Sequence, residues 1–258
     1  MMFRALTLWV VTILTLYQHK GDCAKIIGGK EVKPHSLPYM ALLVNKNGLL
    51  CGGILIQKQW VLTAAHCNEI MAVFLGVHNS TQVKLQNIKK VKVKKIFAHP
   101  NYINTTKGDD IMLVQLNGPV DLSNKINFIQ IPKPVDDIPA GTVCFVAGWG
   151  LTNEKDKNSD SDVLLSVNVT VIDRETCNSS DYYNKDPVIR NEMLCAGYVN
   201  DVPADSCMGD SGGPLVCEGL LRGVVSFGRG CGDKKYPGVY TFISKYDNWI
   251  KENIRTSV

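Results

Sequence analysis

The sequence predicts an all-β protein built from two halves. Short runs of apolar or alternating residues recur along the chain, and Gly, Asn and Pro separate them at the close spacing typical of antiparallel sandwiches or barrels. Residues 117–139 carry four prolines and little periodicity, so we interpret them as the connection between the halves. Helical periodicity is sparse, which leaves β-structure to build the core.

Each half provides six candidate strands whose apolar side chains can face a core. In the first half they are residues 39–44, 49–56, 60–63, 73–75, 91–97 and 111–116; in the second they are 142–147, 163–172, 193–196, 214–217, 220–227 and 238–242. Residues 153–162 are predicted to form a polar loop. The segment 244–254 starts with Ser244 as N-cap and carries apolar residues at helical spacing, which predicts a C-terminal amphipathic helix. A short helix is expected at 174–178.

Residues 1–23 have the features of a secretory signal peptide. Arg4 gives a positive start, and residues 5–17 form an apolar run of thirteen residues, which is too short for an ordinary membrane span. A small residue, Cys23, suits the cleavage position. No later stretch is long and apolar enough to span a membrane, so we expect a secreted protein whose folded part follows the dipeptide at 24–25.

The cysteine count fits an oxidising compartment. The chain has nine cysteines, and removal of Cys23 with the signal peptide leaves eight, which predicts four disulfides in a secreted protein. A metal site is the weaker alternative, because the sequence has no CxxC motif and no clustered Cys/His pattern. The spacing alone does not choose the pairing.

A run of lysines is the main asymmetry in the charge. The whole chain has a net charge of +4, and without its first 25 residues it has 25 basic and 23 acidic residues, a difference of +2. Residues 70–108 contain no acidic residue, and residues 89–95 read KKVKVKK. The alternation of valine with Lys90, Lys92 and Lys94 fits a solvated strand face, and it equally fits a site for sulfated glycosaminoglycans or nucleic acid.

Three residues form a candidate catalytic set. Ser211 lies in DSCMGDSGGP at 205–214, where glycines let backbone N–H groups approach a reacting carbonyl. A serine hydroxyl needs a base, and His66 lies in the constrained stretch WVLTAAHC at 60–67. Asp110 opens an apolar run, where a buried carboxylate needs a partner such as an imidazole N–H. Each residue alone also has an ordinary structural explanation: a loop serine, a structural histidine or a surface acid.

Together these motifs resemble those of the trypsin-like serine proteases, which have the chymotrypsin fold. The resemblance covers residues 26–258 and is carried by IIGG at 26–29, TAAHC at 63–67, DIML at 110–113 and GDSGGP at 209–214. It implies two antiparallel six-stranded β-barrels packed side by side, with the active site between them and a C-terminal α-helix. The N-terminal barrel would span about 26–116, the linker about 117–139, and the C-terminal barrel and helix about 140–258.

The same resemblance implies a role for each member of the set. Ser211 would be the nucleophile, His66 the base and then the acid, and Asp110 the group that orients the imidazole, which makes the three a catalytic triad. The backbone N–H groups of Gly209 and Ser211 would form the oxyanion hole. The implied reaction is hydrolysis of a peptide bond through an acyl-enzyme.

A binding pocket is implied as well. Asp205 would lie at its base beside Ser206, with Gly228 and Gly238 leaving the slot open. A recessed carboxylate favours a substrate cation of matching reach, so Lys or Arg is expected before the scissile bond.

The resemblance further implies an activation switch and a set of disulfides. Asp210 would pair with the α-ammonium of Ile26, which exists only after the preceding residues are removed, so the protein would be made as a zymogen. The implied cysteine pairs are Cys51–Cys67, Cys144–Cys217, Cys177–Cys195 and Cys207–Cys231.

Within the family the resemblance is greatest to the granzymes, especially the A and K types. It is carried by residues 26–41, 167–177, 186–189 and 217–228, and it implies a granule-stored protease of cytotoxic lymphocytes. The dipeptide at 24–25 resembles granzyme prosegments removed by a dipeptidyl peptidase, and a tryptic cut after the dipeptide is equally open. Granzyme A dimerises through an extra cysteine. No cysteine lies between positions 67 and 144 here, so we expect a monomer without a covalent dimer.

Other members of the family and one different class stay open. A mast-cell-type or digestive tryptase would carry the same triad, and a catalytically silent homologue could act by binding heparin, although the intact triad argues against it.

By resemblance, serpins or Kunitz-type inhibitors are expected partners. Neither a cofactor nor a metal ion is expected, since the loop with which some trypsins hold calcium lacks a carboxylate here. N-glycosylation sequons occur at Asn79, Asn104, Asn168 and Asn178.

Overall fold

The computed structural model describes residues 26–48, 50–83, 88, 90–153, 155–156, 159–198 and 203–257. In this part of the chain fourteen β-strands form two antiparallel sheets. The predicted signal peptide and activation dipeptide lie outside the described residues, as does the first lysine of the 89–95 run.

The first sheet contains seven strand segments, two of which are halves of one strand, so that it forms a closed barrel of six strands. Its members are β2 (Met40–Asn45), β3 (Leu50–Gln57), β4 (Trp60–Thr63), β5 (Ile70–Leu75), β6 (Lys90–Val91), β7 (Val93–Ala98) and β8 (Met112–Leu116), paired in the order β6-β5-β2-β3-β4-β8-β7. Only Lys92 separates β6 from β7, so the two are halves of one strand. Because one half pairs with β5 and the other with β8, the barrel closes on itself.

The second sheet closes in the same way. It contains β9 (Val143–Gly148), β10 (Leu165–Ile172), β11 (Met193–Gly197), β12 (Pro214–Cys217), β13 (Leu220–Phe227) and β14 (Gly238–Phe242), with a short strand, β1 (Lys30–Glu31), added at its edge. The order is β1-β10-β11-β14-β13-β12-β9, and β9 also pairs with β10. The expected fold of two six-stranded barrels is confirmed.

A shared hydrophobic cluster holds the barrels side by side. Met40, Leu42 and Phe74 from the first barrel pack with Trp149 and Leu164 of the second. The indole Nε1 of Trp149 donates a hydrogen bond across this junction, to the backbone carbonyl of residue 78, at 3.1 Å. The side chains at the junction are therefore buried and packed together, which suits a site assembled from both barrels.

The two ends of the chain are exchanged between the barrels. β1 pairs with β10 of the second barrel, with Lys30 opposite Ser166. At the other end the helix α2 (Asp247–Thr256) packs Ile250 into the core of the first barrel. Each terminal segment therefore packs on the barrel built mainly by the other half of the sequence. A two-residue strand carries no periodicity that could have assigned it to a sheet.

The C-terminal helix begins three residues later than expected, while the short helix begins at the expected residue, Arg174. A 3₁₀ turn (Ile243–Tyr246) precedes α2, so Ser244 is not its N-cap; the Ser244 hydroxyl instead accepts a hydrogen bond from the N–H of Val135 at 3.3 Å. The short helix α1 (Arg174–Cys177) is capped by Asp173, whose Oδ1 accepts from the N–H of the third helical residue at 2.8 Å. No helix among the described residues has the length and apolar character to cross a membrane.

Candidate active site

Asp110 lies two residues before β8 and is 1% exposed. Its Oδ1 accepts a hydrogen bond from the backbone N–H of His66 at 2.9 Å, and its Oδ2 lies 2.7 Å from His66 Nδ1. Oδ2 also accepts from Ser226 Oγ at 2.5 Å, and the Asp110 carbonyl accepts from Thr241 Oγ1 at 2.8 Å. Since an ionised carboxylate can only accept, Nδ1 carries the imidazole proton and Nε2 is left with a lone pair. His66 is thus held in the tautomer that a general base requires.

The turn that carries His66 is tied down on both sides. It follows β4, which is buried along its whole length. The disulfide Cys51–Cys67 joins the turn to β3, and the N–H of Cys67 donates to the carbonyl of Ala64 at 3.2 Å. A base in such a turn has little freedom to leave its hydrogen-bonding position.

Ser211 lies on the loop before β12 and packs against the strands that carry His66. Its carbonyl accepts a hydrogen bond from the N–H of Gly52 in β3 at 2.8 Å, and the sulfur of Cys67 lies 3.6 Å from the same oxygen. Gly212 has φ +79°, and a Cβ there would lie 2.1 Å from the hydroxyl of the threonine that ends β4. The structure therefore brings Ser211 to the turn of His66, at the junction of the barrels.

Two backbone N–H groups beside the Ser211 hydroxyl are available to a ligand. Within the described ranges, the N–H groups of Gly209 and Ser211 donate to no other protein group. Gly209 has φ +97°, and a Cβ there would lie 2.7 Å from the Cα of Gly150. A side chain at this position would collide with the main chain. Donors without a competing acceptor are what a developing oxyanion needs.

A pocket of about 300 Å³ opens next to Ser211. Asp205 lines it, is 3% exposed, and accepts a hydrogen bond at Oδ2 from the N–H of Gly232 at 2.9 Å. Gly238 lines it too, and a Cβ there would lie 3.1 Å from Asp205 Oδ1 and 2.8 Å from Tyr240 Oη. The structure places the other expected pocket residues in the same wall, together with one disulfide: Ser206, Gly228 and Cys207–Cys231.

The charge of Asp205 contributes to raised pKa values of two buried tyrosines. Burial raises the pKa of Tyr240 above its ordinary range, and the charge of Asp205 raises it further. The same two causes raise the pKa of Tyr183, whose hydroxyl donates to the carbonyl of Pro237 at 2.8 Å. Both phenols therefore stay neutral at physiological pH.

A larger cavity, of about 680 Å³, lies elsewhere. It is bounded by α2, by the end of β3 and by residues between 128 and 133. None of the expected triad or pocket residues lines it.

Asp210 is a buried acid without exposed surface. Its Oδ1 accepts a hydrogen bond from the N–H of Gly150 at 2.8 Å, and its Oδ2 accepts from the N–H of Cys207 at 2.9 Å. Burial raises the pKa of Asp210 to about 7; the two N–H donors oppose the rise, and the charge of Asp160 adds to it. A carboxyl group in this state is poised to respond to a nearby cation.

The first described residues are packed into the second barrel. Ile26 is fully buried. The carbonyl of Ile27 accepts a hydrogen bond from the N–H of Asp205 at 3.1 Å, and a Cβ at Gly28 would lie 2.2 Å from the carbonyl oxygen of Pro203. The start of the folded chain therefore contacts the segment that forms the pocket.

Four disulfides join the cysteines of the described chain. They are Cys51–Cys67, Cys144–Cys217, Cys177–Cys195 and Cys207–Cys231, the same pairs that the resemblance implies. Cys144 and Cys217 also face each other in the register of β9 and β12, which explains how that bond forms across neighbouring strands.

The asparagines of the four sequons differ in their contacts. Asn168 is exposed on β10, and Asn104 is exposed as the N-cap of a short 3₁₀ turn. Asn79 is half-buried, and its Oδ1 accepts from the N–H two residues later at 2.9 Å. In Asn178 both side-chain atoms are engaged, since Nδ2 donates to the carbonyl of Ile189 at 2.9 Å and Oδ1 accepts from its N–H at 2.8 Å. The amide nitrogen of Asn178, to which a glycan would be attached, is therefore already used in a hydrogen bond within the fold.

The described part of the lysine run forms β6 and the start of β7. Val91 and Val93 are partly buried against the first core, while Lys90, Lys92 and Lys94 are exposed. Strand alternation therefore accounts for the sequence pattern by itself.

Two contacts of the site escaped the sequence reasoning. They are two hydrogen bonds that Asp110 accepts, one from the Ser226 hydroxyl to its carboxylate and one from the Thr241 hydroxyl to its backbone carbonyl. Each donor is a polar residue between two apolar neighbours in a strand, and both are buried, which is a usable signal for a buried hydrogen bond. That signal does not reveal the partner, because the partner belongs to the other barrel.

Comparison with known proteins places the chain among its relatives. The family model described as Trypsin matches residues 26–250. Granzyme A of Bos taurus is 44% identical over 240 residues, covering 92% of this chain and 91% of the relative. Trypsin of Sus scrofa is 39% identical over 234 residues, covering 90% and 97%. The structure of neuropsin, described as a serine protease expressed in the limbic system of mouse brain, superposes with a TM-score of 0.76 at 36% identity, covering 88% of this chain and 98% of that one.

The two barrels, the buried Asp110–His66 pair and the serine at their junction define a hydrolase of the serine type. The chain belongs to the trypsin family, and it is a serine endopeptidase.

Proposed function

We propose that the protein cleaves polypeptides after Lys or Arg, and the position of Asp205 carries this proposal. The buried carboxylate lines the pocket that also contains Ser211, so a side chain that enters the pocket would bring its own carbonyl group to the hydroxyl. The neighbouring tyrosines are neutral, and Asp205 is the acidic residue among those that line the pocket. A cationic side chain that enters the pocket would complement the carboxylate of Asp205.

The expected discrimination follows from the strength of a buried ion pair. A cationic substrate group gains an attraction to Asp205 that an apolar group lacks, while both displace water from the carboxylate. Omitting one partner of a buried pair typically costs about 3–5 kcal/mol. This corresponds to a preference of roughly a hundredfold or more in kcat/KM.

The proposed chemistry is acyl transfer in two stages. Nε2 of His66 takes the proton of Ser211 as the hydroxyl oxygen bonds to the substrate carbonyl carbon, and it then gives that proton to the departing amine. In the second stage His66 takes a proton from water, the water oxygen attacks the acyl carbon, and the proton returns to Ser211 as the product acid leaves. Asp110, at 2.7 Å from Nδ1, stabilises the protonated imidazole in both stages.

The oxyanion of each stage would be held by the N–H groups of Gly209 and Ser211. These donors have no competing protein acceptor within the described ranges. Each such donor is worth about 3 kcal/mol of transition-state stabilisation in enzymes of this kind.

We also propose that the protein is made as a zymogen that becomes active when the bond before Ile26 is cut. In the intact chain the nitrogen of Ile26 belongs to an uncharged amide. Cleavage would create an α-ammonium at a buried residue, and Asp210 is the buried acid with which it would pair. Residues 1–23 would be removed first as a signal peptide. Removal of the dipeptide at 24–25 would then expose the α-ammonium of Ile26 and activate the protein.

A positional-scanning peptide library on protein that begins at Ile26 tests the proposal. Cleavage should occur after Lys and Arg, and the Ser211→Ala variant should cleave nothing. Asp205→Asn keeps the size of the side chain while removing its charge, so it should lose at least a hundredfold in kcat/KM on Lys and Arg substrates. Cleavage by the unmodified protein only after other residues would overturn the pocket assignment.

The biological setting that we propose is a secretory granule of cytotoxic lymphocytes, as expected for a protease of the granzyme A or K type. The 44% identity to granzyme A supports this, and the 39% identity to a trypsin keeps a digestive or mast-cell-type tryptase as the alternative. Antibody staining of lymphocyte granules tests the proposal, and staining confined to pancreas or mast cells would contradict it. We expect a monomer in gel filtration and inhibition by serpins or Kunitz-type inhibitors.

We further propose that the exposed face formed by Lys90, Lys92 and Lys94 binds sulfated proteoglycan. All three side chains are exposed at alternate positions of the chain, so their ammonium groups offer a basic surface to a polyanion. Replacing all three lysines by serine should sharply reduce retention on heparin. The matched control replaces three exposed lysines elsewhere, Lys33, Lys133 and Lys235, with the same change in net charge. Equal elution of the two variants would contradict a specific site.

A further inference from the structure

The residue before Asp110 has an unusual backbone and contacts of its own. Asp109 has φ +57°, in the left-handed region that residues other than glycine seldom adopt, and Gly108 before it has φ +92°. Oδ1 of Asp109 accepts a hydrogen bond from Tyr246 Oη at 3.1 Å and lies 3.4 Å from His99 Nδ1. None of these three side chains belongs to the triad or to the pocket.

Tyr246 connects this turn to the C-terminal segment of the chain. It ends the 3₁₀ turn between β14 and α2 and is buried. Its ring packs edge-on against His99 with the centroids 5.2 Å apart, and His99 packs against Trp249 at 5.1 Å. The aromatic contacts fix the tyrosine ring, so its hydroxyl stays directed at Asp109.

Short contacts leave the turn little room to relax. The N–H of Ile111 donates to the carbonyl of Asp109 at 2.8 Å, and the N–H of His99 donates to the carbonyl of Ile111 at 3.0 Å. On the other side, a Cβ at Gly108 would lie 2.5 Å from Glu192 Oε1. Strained backbone persists only where its surroundings hold it. The side chain of Asp109 is one of the groups that hold this turn.

The charged groups around Asp109 leave the hydrogen bond from Tyr246 intact. Burial raises the pKa of Tyr246 well above its ordinary range, and the charges of Asp109 and Glu192 raise it further, so the phenol remains a donor. Burial lowers the pKa of His99, and the charge of Asp109 opposes that change.

We infer that Asp109 is a positioning residue, whose carboxylate, anchored on Tyr246, holds the left-handed turn that aims Asp110 at His66. The inference rests on the proposed function, because it gives Asp109 a part in catalysis by the triad. Asp109 touches neither substrate nor the reacting atoms. It acts through Asp110, which must keep its contacts of 2.9 and 2.7 Å with the backbone and ring of His66.

Three variants test the inference on protein that begins at Ile26. Tyr246→Phe removes the donor and keeps the ring. Asp109→Ala removes the acceptor, while Asp109→Asn retains an acceptor and tolerates the left-handed region, which makes it the matched control. Hydrolysis of a lysine amide substrate is measured against pH, and rates are divided by the active-site concentration from an ester burst, so unfolded protein is not counted.

We expect Tyr246→Phe and Asp109→Ala to lower kcat roughly tenfold while KM changes less than about twofold. The acid limb of their pH profiles should move to lower pH, because a displaced Asp110 stabilises the protonated imidazole less. Asp109→Asn should keep most of kcat.

The outcomes separate this inference from the proposed function. Absence of hydrolysis by the unmodified protein would defeat the proposed function and the inference with it. If the unmodified protein is active, rates per titrated site within twofold of it for both Tyr246→Phe and Asp109→Ala, with an unmoved acid limb, would overturn the positioning role alone. A loss in Asp109→Asn as large as in Asp109→Ala would also overturn it, because the charge and not the anchor would then matter.

Discussion

Asp210 should make the uncleaved chain less stable as the pH rises. Its pKa in the folded chain is about 7, raised by burial from the ordinary value of 3.8. Between those two values the folded chain holds a proton that the unfolded chain has released, so its free energy of unfolding falls with increasing pH. The whole effect amounts to about 4 kcal/mol, of which about 2.5 kcal/mol is lost between pH 5 and pH 8.

Urea unfolding of the Ser211→Ala chain at pH 5 and pH 8, followed by tryptophan fluorescence, measures this change without self-cleavage. Adding Asp210→Asn to the same chain gives the control. It cannot titrate at position 210, so the difference between the two proteins removes the pH dependence of every other group. We expect that difference to change by about 2.5 kcal/mol between the two pH values.

Cleavage before Ile26 should abolish the dependence on Asp210, because an α-ammonium beside the carboxyl group lowers its pKa. Ser211→Ala protein that begins at Ile26 should therefore gain stability over the uncleaved chain at pH 8 more than at pH 5. An uncleaved chain with the same pH dependence whether residue 210 is Asp or Asn would refute the reasoning.

Other perturbations test single contacts of the site. Gly238→Ala should lower kcat/KM on lysine and arginine peptides at least roughly tenfold, because its methyl group would lie 3.1 Å from Asp205 Oδ1; unchanged kinetics would contradict the pocket geometry. Ser226→Ala removes a donor to buried Asp110 and should cost about 1–3 kcal/mol of unfolding free energy, read from urea midpoints against Ser226→Thr. Asn178 should carry no glycan, since its amide is hydrogen-bonded on both sides; mass spectrometry of deglycosylated peptides compares it with the three other sequons. Peptidase activity should fall at acid pH, because a protonated imidazole cannot act as the base, and again at alkaline pH, where the α-ammonium is lost; full activity at pH 5 would argue against this mechanism.

The strands were largely predictable because each is a short apolar run between turn residues. The predicted bounds at 60–63, 214–217, 220–227 and 238–242 agree with those of β4, β12, β13 and β14. The predicted start at residue 73 is three residues later than the observed start of β5 at Ile70. Ser244 had the residue type of an N-cap, but its hydroxyl is used by the linker, and such a choice depends on which segments meet.

The sequence by itself determined the local chemistry of this protein. The glycines at 209 and 212, the turn of His66 and the acids at 205 and 210 all lie in short motifs that can be read directly from the sequence. Only the tertiary structure decided what supports Asp110. Its hydroxyl partners and the anchor of Asp109 come from 116, 131 and 137 residues away in the chain. Those hydrogen bonds depend on how two closed barrels and an exchanged C-terminal segment pack together, and no periodicity within one segment encodes that packing.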